Sequence, residues 1–325
     1  MQDLVTVFGG SGFVGSQVVR ALAKQGLRVR VAVRQPHLAH TMRLRGDVGQ
    51  IEVVQANIRN EASIRRALAG AQAVINLVGV GYETGRQKFQ SVHAMGARNV
   101  AAVARELGIT RMVQMSALGA DIDSESKYAR TKAMGEQAVR ELIPAAVIVR
   151  PSIVFGQGDG FFNKFAEMAM ISPALPLIGG GHTRFQPVFV GDVAQAICKA
   201  VVDPALAGTT LELGGPGVFS FRELMELLLK EIGRRRFLVS LPFPIARIIG
   251  SVANLATLTP IAPPITPDQV ELLKVDNLPS GACPGLAELG ITPETVEAII
   301  PSYLYRFRKG GQYADEVERL AATGA

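Results

Sequence analysis

A doubly wound α/β fold with a smaller C-terminal lobe is predicted by three observations. A short apolar run, Leu4 to Phe8, leads into glycines at 9, 12 and 15. Apolar residues at helical spacing follow at Phe13, Val14, Val18, Val19 and Leu22. The same strand-then-helix order repeats through the first half, which is the pattern of βαβ units and a parallel sheet. The chain has 325 residues and is 48% hydrophobic. That is enough for one large α/β domain or two lobes sharing a site.

Taken in order, strands are expected at Leu4–Phe8, Arg28–Val33, Ile51–Gln55, Ala73–Val78, Met112–Met115 and Ala146–Val149. Helices are expected between them at Phe13–Lys24, Ala62–Ala69, Phe89–Leu107 and Tyr128–Leu142. Residues 1–150 then form a nucleotide-binding domain of Rossmann type, and 151–325 a C-terminal lobe interleaved with it.

The opening stretch has the context of a dinucleotide fingerprint: strand, glycine turn, helix. Gly9 permits the tight turn, Gly12 lets backbone approach a pyrophosphate, and Gly15 lets helix pack on strand. Gly10, Ser11, Phe13 and Val14 complete the turn and the helix start, whose free N–H groups suit phosphate. The second strand ends at Arg34, where NAD enzymes want an acidic residue for the ribose hydroxyl. A guanidinium there suits a 2′-phosphate and favours NADP(H), the alternative being an exposed loop arginine. After the third strand, Asn57 and Ile58 either border the adenine or simply start a loop. After the fourth, Leu77, Val78 and Gly79 offer small-residue backbone along the cofactor.

Helix 89–107 presents Val92, Met95, Gly96, Val100, Val103 and Leu107 on one face, which should pack on the sheet. Asn99 is expected to steady a backbone carbonyl. His93 reads as a surface or satisfied core histidine rather than a ligand. The fifth strand runs into Ser116, and Tyr128 and Lys132 follow, one helical turn apart. A lysine ammonium beside a phenol is expected to lower the phenol pKa from ~10 toward working pH. Such a tyrosine can exchange a proton with a carbinol, while the lysine bonds the nicotinamide ribose and Ser116 a substrate oxygen.

The net charge is +6, with clusters at Arg234–Arg236 and Arg306–Lys309, and aromatics make up 6% of residues. This argues against nucleic acid and for an acidic protein or an anionic membrane surface. Cys198 and Cys283 lie far apart, giving no metal spacing and no disulfide framework. With a strand in the first few residues, no signal or transit peptide is expected.

In the second half, Gly156–Gly160 is expected to be a flexible loop bordering the substrate, Phe161–Met170 a core helix, and Gly179–His182 a loop at the lobe mouth. Val188–Val190 and Leu211–Leu213 read as strands, and Phe221–Ile232 as an amphipathic helix. Arg184 is the one basic residue placed to clamp a diphosphate. Between 237 and 264 the composition shifts, and Pro242–Leu258 carries Arg247 as its single charge. It is too short and polar to span a membrane. It is either a buried lobe helix or an apolar helix that docks on a membrane or a hydrophobic subunit. The tail from Ser302 to Ala325 is expected to have no core of its own.

Gly9/Gly12/Gly15, Arg34, Ser116, Tyr128 and Lys132 together resemble the short-chain dehydrogenase/reductase superfamily in its extended or atypical branch. So do Arg150-Pro151-Ser152-Ile153-Val154-Phe155-Gly156 and Phe189-Val190-Gly191-Asp192-Val193-Ala194. A nearer resemblance is to the NADPH-binding accessory subunit family of respiratory complex I, in its alphaproteobacterial form. Val5–Gly15, Val113–Ala120, Tyr128–Glu136 and Tyr303–Gln312 carry it. The resemblance implies a tightly held NADPH with added contacts from Met115, Ser116, Pro151 and Ile153. It also implies partners among complex I subunits, contact with a membrane surface, and a peripheral place on the cytoplasmic side of a bacterial inner membrane. Ser116 is followed by Ala117 and Leu118 where extended members often carry a Ser/Thr run. Ser116, Tyr128 and Lys132 are therefore a catalytic set that is expected to be vestigial. Two alternatives stay open: an active NADP(H)-dependent reductase, epimerase or dehydratase, and an NADP(H)-sensing regulator.

Overall fold

The structure, a computed structural model, describes residues 3–253 and 265–313. Residues 254–264 of the apolar stretch and 314–325 of the tail lie outside the described residues.

The first half is a relay of strands and helices: β1 (Leu4–Phe8), α1 (Phe13–Lys24), β2 (Arg28–Val33), β3 (Ile51–Gln55), α2 (Glu61–Leu68), β4 (Ala73–Asn76), α3 (Met95–Glu106), β5 (Arg111–Met115), α4 (Lys127–Leu142) and β6 (Val147–Pro151). The second half adds β7 (Val154–Phe155), α5 (Phe162–Ile171), β8 (Ala174–Ile178), β9 (Arg184–Phe185), β10 (Val188–Phe189), α6 (Val190–Val202), β11 (Thr210–Leu213), β12 (Phe219–Ser220), α7 (Phe221–Glu231), β13 (Phe237–Leu241), α8 (Phe243–Ala253), α9 (Pro267–Leu272), α10 (Val296–Ile299) and α11 (Pro301–Leu304).

Seven parallel strands form the main sheet in the order β11-β6-β5-β4-β1-β2-β3. Every residue of β1 is buried, as a strand covered on both faces requires. One face packs Val18, Val19 and Leu22 of α1 with Val193 and Ile197 of α6. The other packs Ile64 and Leu68 of α2 with Val100 of α3 and Val139 of α4. β11 and α6 come from beyond residue 150 and belong to this layer, which is the interleaving in physical form. The chain reverses winding between β1 and β4, so a crevice opens there at the strands' C-terminal ends.

The lobe has a separate core of Phe155, Phe162, Leu175, Phe221 and Leu228. Its strands form three two-stranded pairs: β7 with β10, β9 with β12, and β8 with β13. Tyr303, Leu304 and Phe307 are buried in this core, which corrects the expectation of a coreless tail for residues up to 313. The hydroxyl of Tyr303 donates to Asp159 at 2.7 Å, and Arg306 donates to Asn163 at 2.6 Å. The C-terminal basic cluster is thus partly spent inside the fold. The 156–160 loop is pinned rather than flexible. Buried Asp159 accepts from the N–H groups of Gly156 and Phe161 as well as from Tyr303.

Strand β4 ends two residues early because the Asn76 amide turns inward to Gln114 at 2.8 Å and its oxygen accepts from Val78 N–H. Helix 89–107 is interrupted at its start by a π-helical turn, Gln90–Ala94.

Candidate functional site

The crevice is built first by the glycines. Gly9 has φ +78, and a Cβ on it would meet the Leu77 carbonyl carbon at 3.3 Å, so the turn lies against the β4 loop. At Gly15 a Cβ would stand 2.2 Å from the Gly9 carbonyl oxygen, so no side chain fits. Gly12 caps α1 without a side-chain bond, and no acidic residue occupies the first turn. The first helical bond is Ser16 N–H to Gly12 O. The N–H groups before it have no intrahelical acceptor and suit an anion. A cradle that any Cβ would fill fits a nucleotide pyrophosphate.

Arg34 leaves the end of β2 exposed, at the far side of this turn. Asn57 accepts from Arg59 N–H at 3.1 Å, an Asx turn that favours the loop-starting role for its oxygen. The Ile58 side chain is buried beneath Gly96, where a Cβ would be 2.4 Å from Ile58 Cδ1. Asn99 donates to the Ile58 carbonyl at 3.1 Å, as expected of it. Leu77 and Val78 are half-buried, and Gly79 is exposed on the crevice wall.

The other wall is α4. Ser126 caps it, and Tyr128, Thr131 and Lys132 face inward. Gly135 lets α4 approach the π turn, since a Cβ there would be 2.3 Å from the His93 carbonyl oxygen. The π turn in exchange pushes the imidazole of His93 into the site. His93 Nε2 accepts from Val80 N–H at 3.0 Å, and Nδ1 lies 3.3 Å from Thr131 Oγ1. Phe89 stacks on His93, and both meet the Tyr128 ring edge-on, at 5.7 and 5.2 Å. A Cβ on Gly79 would be 3.4 Å from Lys132 Nζ. Bulk at this position would press on the lysine.

The electrostatics run against the expected activation of the tyrosine. Burial, helped by the carboxylate of Asp268, pushes the Tyr128 phenol up to about 12. Burial pushes the Lys132 ammonium down to about 8 against a partial opposing pull from Glu136. Lys132 Nζ lies 5.6 Å from the Tyr128 ring centroid and donates to the Met115 carbonyl at 3.4 Å. Desolvation outweighs the lysine's attraction for the phenolate, which corrects the sequence expectation. Burial and the neighbouring Lys132 together push His93 down to about 2, so it is neutral across the physiological range. Ser116 is buried, and its Oγ has no hydrogen-bond partner among the described residues. A buried orphan hydroxyl is a place where a ligand oxygen would be welcome.

The structure therefore brings together Gly9, Gly10, Gly12, Gly15, Leu77–Gly79, Met115, Ser116, Tyr128 and Lys132 around one crevice. Pro151 and Ile153 follow from β6 on the lobe side, where the Pro151 carbonyl accepts from Leu118 N–H at 3.0 Å. Arg184 is not free to clamp a diphosphate, because Asp276 holds it at 2.7 Å. Sequence reasoning missed three contributors: Phe89, His93 as a site wall, and Asp268. Thr266-Pro267-Asp268-Gln269 is readable as a helix start, and the capping box forms. Its reach to residues 126–128 is not readable from the sequence.

A family model described as the NAD dependent epimerase/dehydratase family matches residues 5–214, from β1 to the end of β11. The chain belongs to that family. It is 38% identical over 316 residues to NADH dehydrogenase (ubiquinone) 1 alpha subcomplex subunit 9 of Arabidopsis thaliana, covering 95% of this chain and 79% of that protein. The same subunit of Mus musculus is 35% identical over 319 residues, covering 97% and 83%. Among solved structures, an NADPH-dependent quinone oxidoreductase of Escherichia coli complexed with NADPH superposes with a TM-score of 0.70 at 19% identity, covering 90% of this chain and 97% of that one. That likeness is one of fold. The doubly wound sheet with its nicotinamide-nucleotide crevice is thus a family property.

Proposed function

We propose that the chain is an NADP(H)-binding accessory subunit of the respiratory NADH–quinone oxidoreductase, complex I, with a nucleotide that is held rather than turned over. The observation that carries this is the likeness to the plant and mouse subunits over 95% and 97% of the chain. That likeness continues well past the residues the broad family model matches, into the C-terminal lobe. The subunit sits peripherally on the cytoplasmic side of a bacterial inner membrane. No helix among the described residues is long and apolar enough to cross a membrane.

Residues 1–150 supply most of the nucleotide contacts. Backbone N–H groups around Gly10, Ser11, Gly12, Phe13 and Val14 take the pyrophosphate, and Arg34 the 2′-phosphate. Asn57 and Ile58 border the adenine. Leu77, Val78 and Gly79 form one wall, and Met115, Ser116, Tyr128 and Lys132 hold the nicotinamide ribose. Pro151 and Ile153 close the lobe side. The bound nucleotide would supply a ring able to give or accept a hydride. Tyr128 as a phenol with a pKa of about 12 favours hydrogen bonding over proton transfer. Lys132, half-deprotonated near pH 8, is a poor activator for it.

A docking face suits an assembled subunit. Ile245, Ile248 and Ile249 of α8 and Phe237 and Val239 of β13 are exposed, with Arg247 beside them. Such a patch fits a hydrophobic subunit or a membrane surface better than bulk water.

One observation favours a second reading as an active reductase: the unpartnered Ser116 hydroxyl, which a substrate oxygen would satisfy. Tyr128→Phe separates the two. A held nucleotide predicts unchanged assembly. A wild-type NADPH turnover that the variant abolishes would favour the reductase.

A further inference from the structure

Helix α9 bridges the two walls of the crevice, although it lies 140 residues beyond one and 188 beyond the other in sequence. Asp268 Oδ1 accepts from Lys127 N–H at 2.6 Å. Its Oδ2 accepts from Ser126 Oγ at 2.9 Å and from Tyr128 N–H at 3.2 Å. One carboxylate thus satisfies two of the orphan N–H groups of the sixteen-residue α4 and fixes that helix's own cap residue. A negative charge at this end also suits the helix dipole. The next residue, Gln269, reaches the opposite wall, where Nε2 donates to the Gly81 carbonyl at 3.4 Å. On its outer side α9 faces α8, with Arg247 of α8 3.7 Å from Glu271.

We propose that Asp268 is a positioning residue for the nucleotide site, and that α9 is a clasp joining α4 to the β4 loop at the end of the crevice away from Arg34. This rests on the nucleotide reading above. Asp268 is not itself a nucleotide contact. It acts through α4, setting the first turn so that Tyr128 and Lys132 stand against Gly79 and His93. The clasp also places the apolar α8 face one helix away from the nicotinamide end of the crevice. Whatever docks on α8 therefore leans on the element that holds that end closed.

The test compares a whole nucleotide with its adenosine half on the full chain. Asp268→Ala is expected to weaken NADPH by about tenfold, the scale of losing charge-assisted hydrogen bonds. It should leave 2′,5′-ADP within about twofold, because that probe ends before the clasp. Asp268→Asn keeps acceptor oxygen at the cap and should fall between, which guards against a variant that merely folds poorly. Hydrogen exchange should show faster opening at the Lys127 and Tyr128 amides, with α1 unchanged. Equal weakening of NADPH and 2′,5′-ADP, or no weakening of NADPH, overturns the proposal. If wild type binds neither probe, the nucleotide reading fails on its own. In that case unchanged exchange at Lys127 and Tyr128 in Asp268→Ala overturns the clasp separately.

Discussion

The nucleotide half and the C-terminal lobe are held together in different ways. In the first half, strands covered on both faces and helices with one apolar stripe lock by burial. Val5, Val7, Val18, Val19 and Leu22 are wholly buried, and each such side chain contributes roughly 1.5–3 kcal/mol. Beyond residue 150, short strand pairs leave large apolar side chains exposed, and carboxylates, three buried and one half-buried, do the fastening across long loops. Asp159 holds Tyr303, Asp192 holds the Glu294 N–H, Glu212 holds Ser280, and Asp268 holds the start of α4. Burial makes a rigid frame, and the stitched carboxylates bring distant segments to its open edge. The crevice lies at that edge: both of its walls, the β4 loop and α4, belong to the frame, and α9 from beyond residue 150 fastens them.

The comparison breaks most visibly at Gly15. Gly15→Ala sets a Cβ against the Gly9 carbonyl and should cost at least about 3 kcal/mol in chemical denaturation, with loss of nucleotide binding. A cost under 1 kcal/mol would mean the turn is looser than described. Next comes His93, whose folded pKa is depressed from its unfolded value. The stability tied to its neutral form is fully present above about pH 6.5 and is lost as pH falls toward 2. Between pH 6.5 and 4.5 this group should account for about 2 kcal/mol of acid destabilisation, and His93→Gln should flatten that part of the profile. In the lobe, Tyr303→Phe removes one donor from buried Asp159 and should cost about 2 kcal/mol of unfolding free energy in urea, without altering nucleotide affinity. Arg34→Ala should weaken NADPH about tenfold more than NADH by calorimetry. Equal losses would remove its 2′-phosphate role. The smallest effect on stability is expected at Ile248→Ser on the exposed face of α8, within about 0.5 kcal/mol. The same change should nevertheless loosen docking of the chain in membranes.

The same division explains what could be read from the sequence. β1, α1, β2 and β3 fall where the apolar runs place them, because each buries a face through its own local pattern. Asn99 finds its carbonyl for the same reason. The burial of Tyr303, Leu304 and Phe307 is not legible in the tail itself, because it comes from packing with Phe162 and Phe221, far away in sequence. Asp268 was unreadable because a carboxylate that caps a helix 140 residues upstream leaves no periodic trace. The Tyr128–Lys132 spacing was correct as geometry and misleading as chemistry. Spacing places two side chains on one helix face, but the surrounding desolvation decides which protonation state they keep.

The central claim is that this chain is a docked subunit carrying NADP(H). It is tested most directly by isolating the chain from gently solubilised membranes and extracting its nucleotide under denaturing conditions. A docked subunit should travel with an NADH-oxidising respiratory assembly and release about one NADP(H) per chain, the stoichiometry of a single dinucleotide crevice. Recovery as a free soluble protein, or an assembly whose copy of this chain releases NAD(H) or no nucleotide, would contradict it.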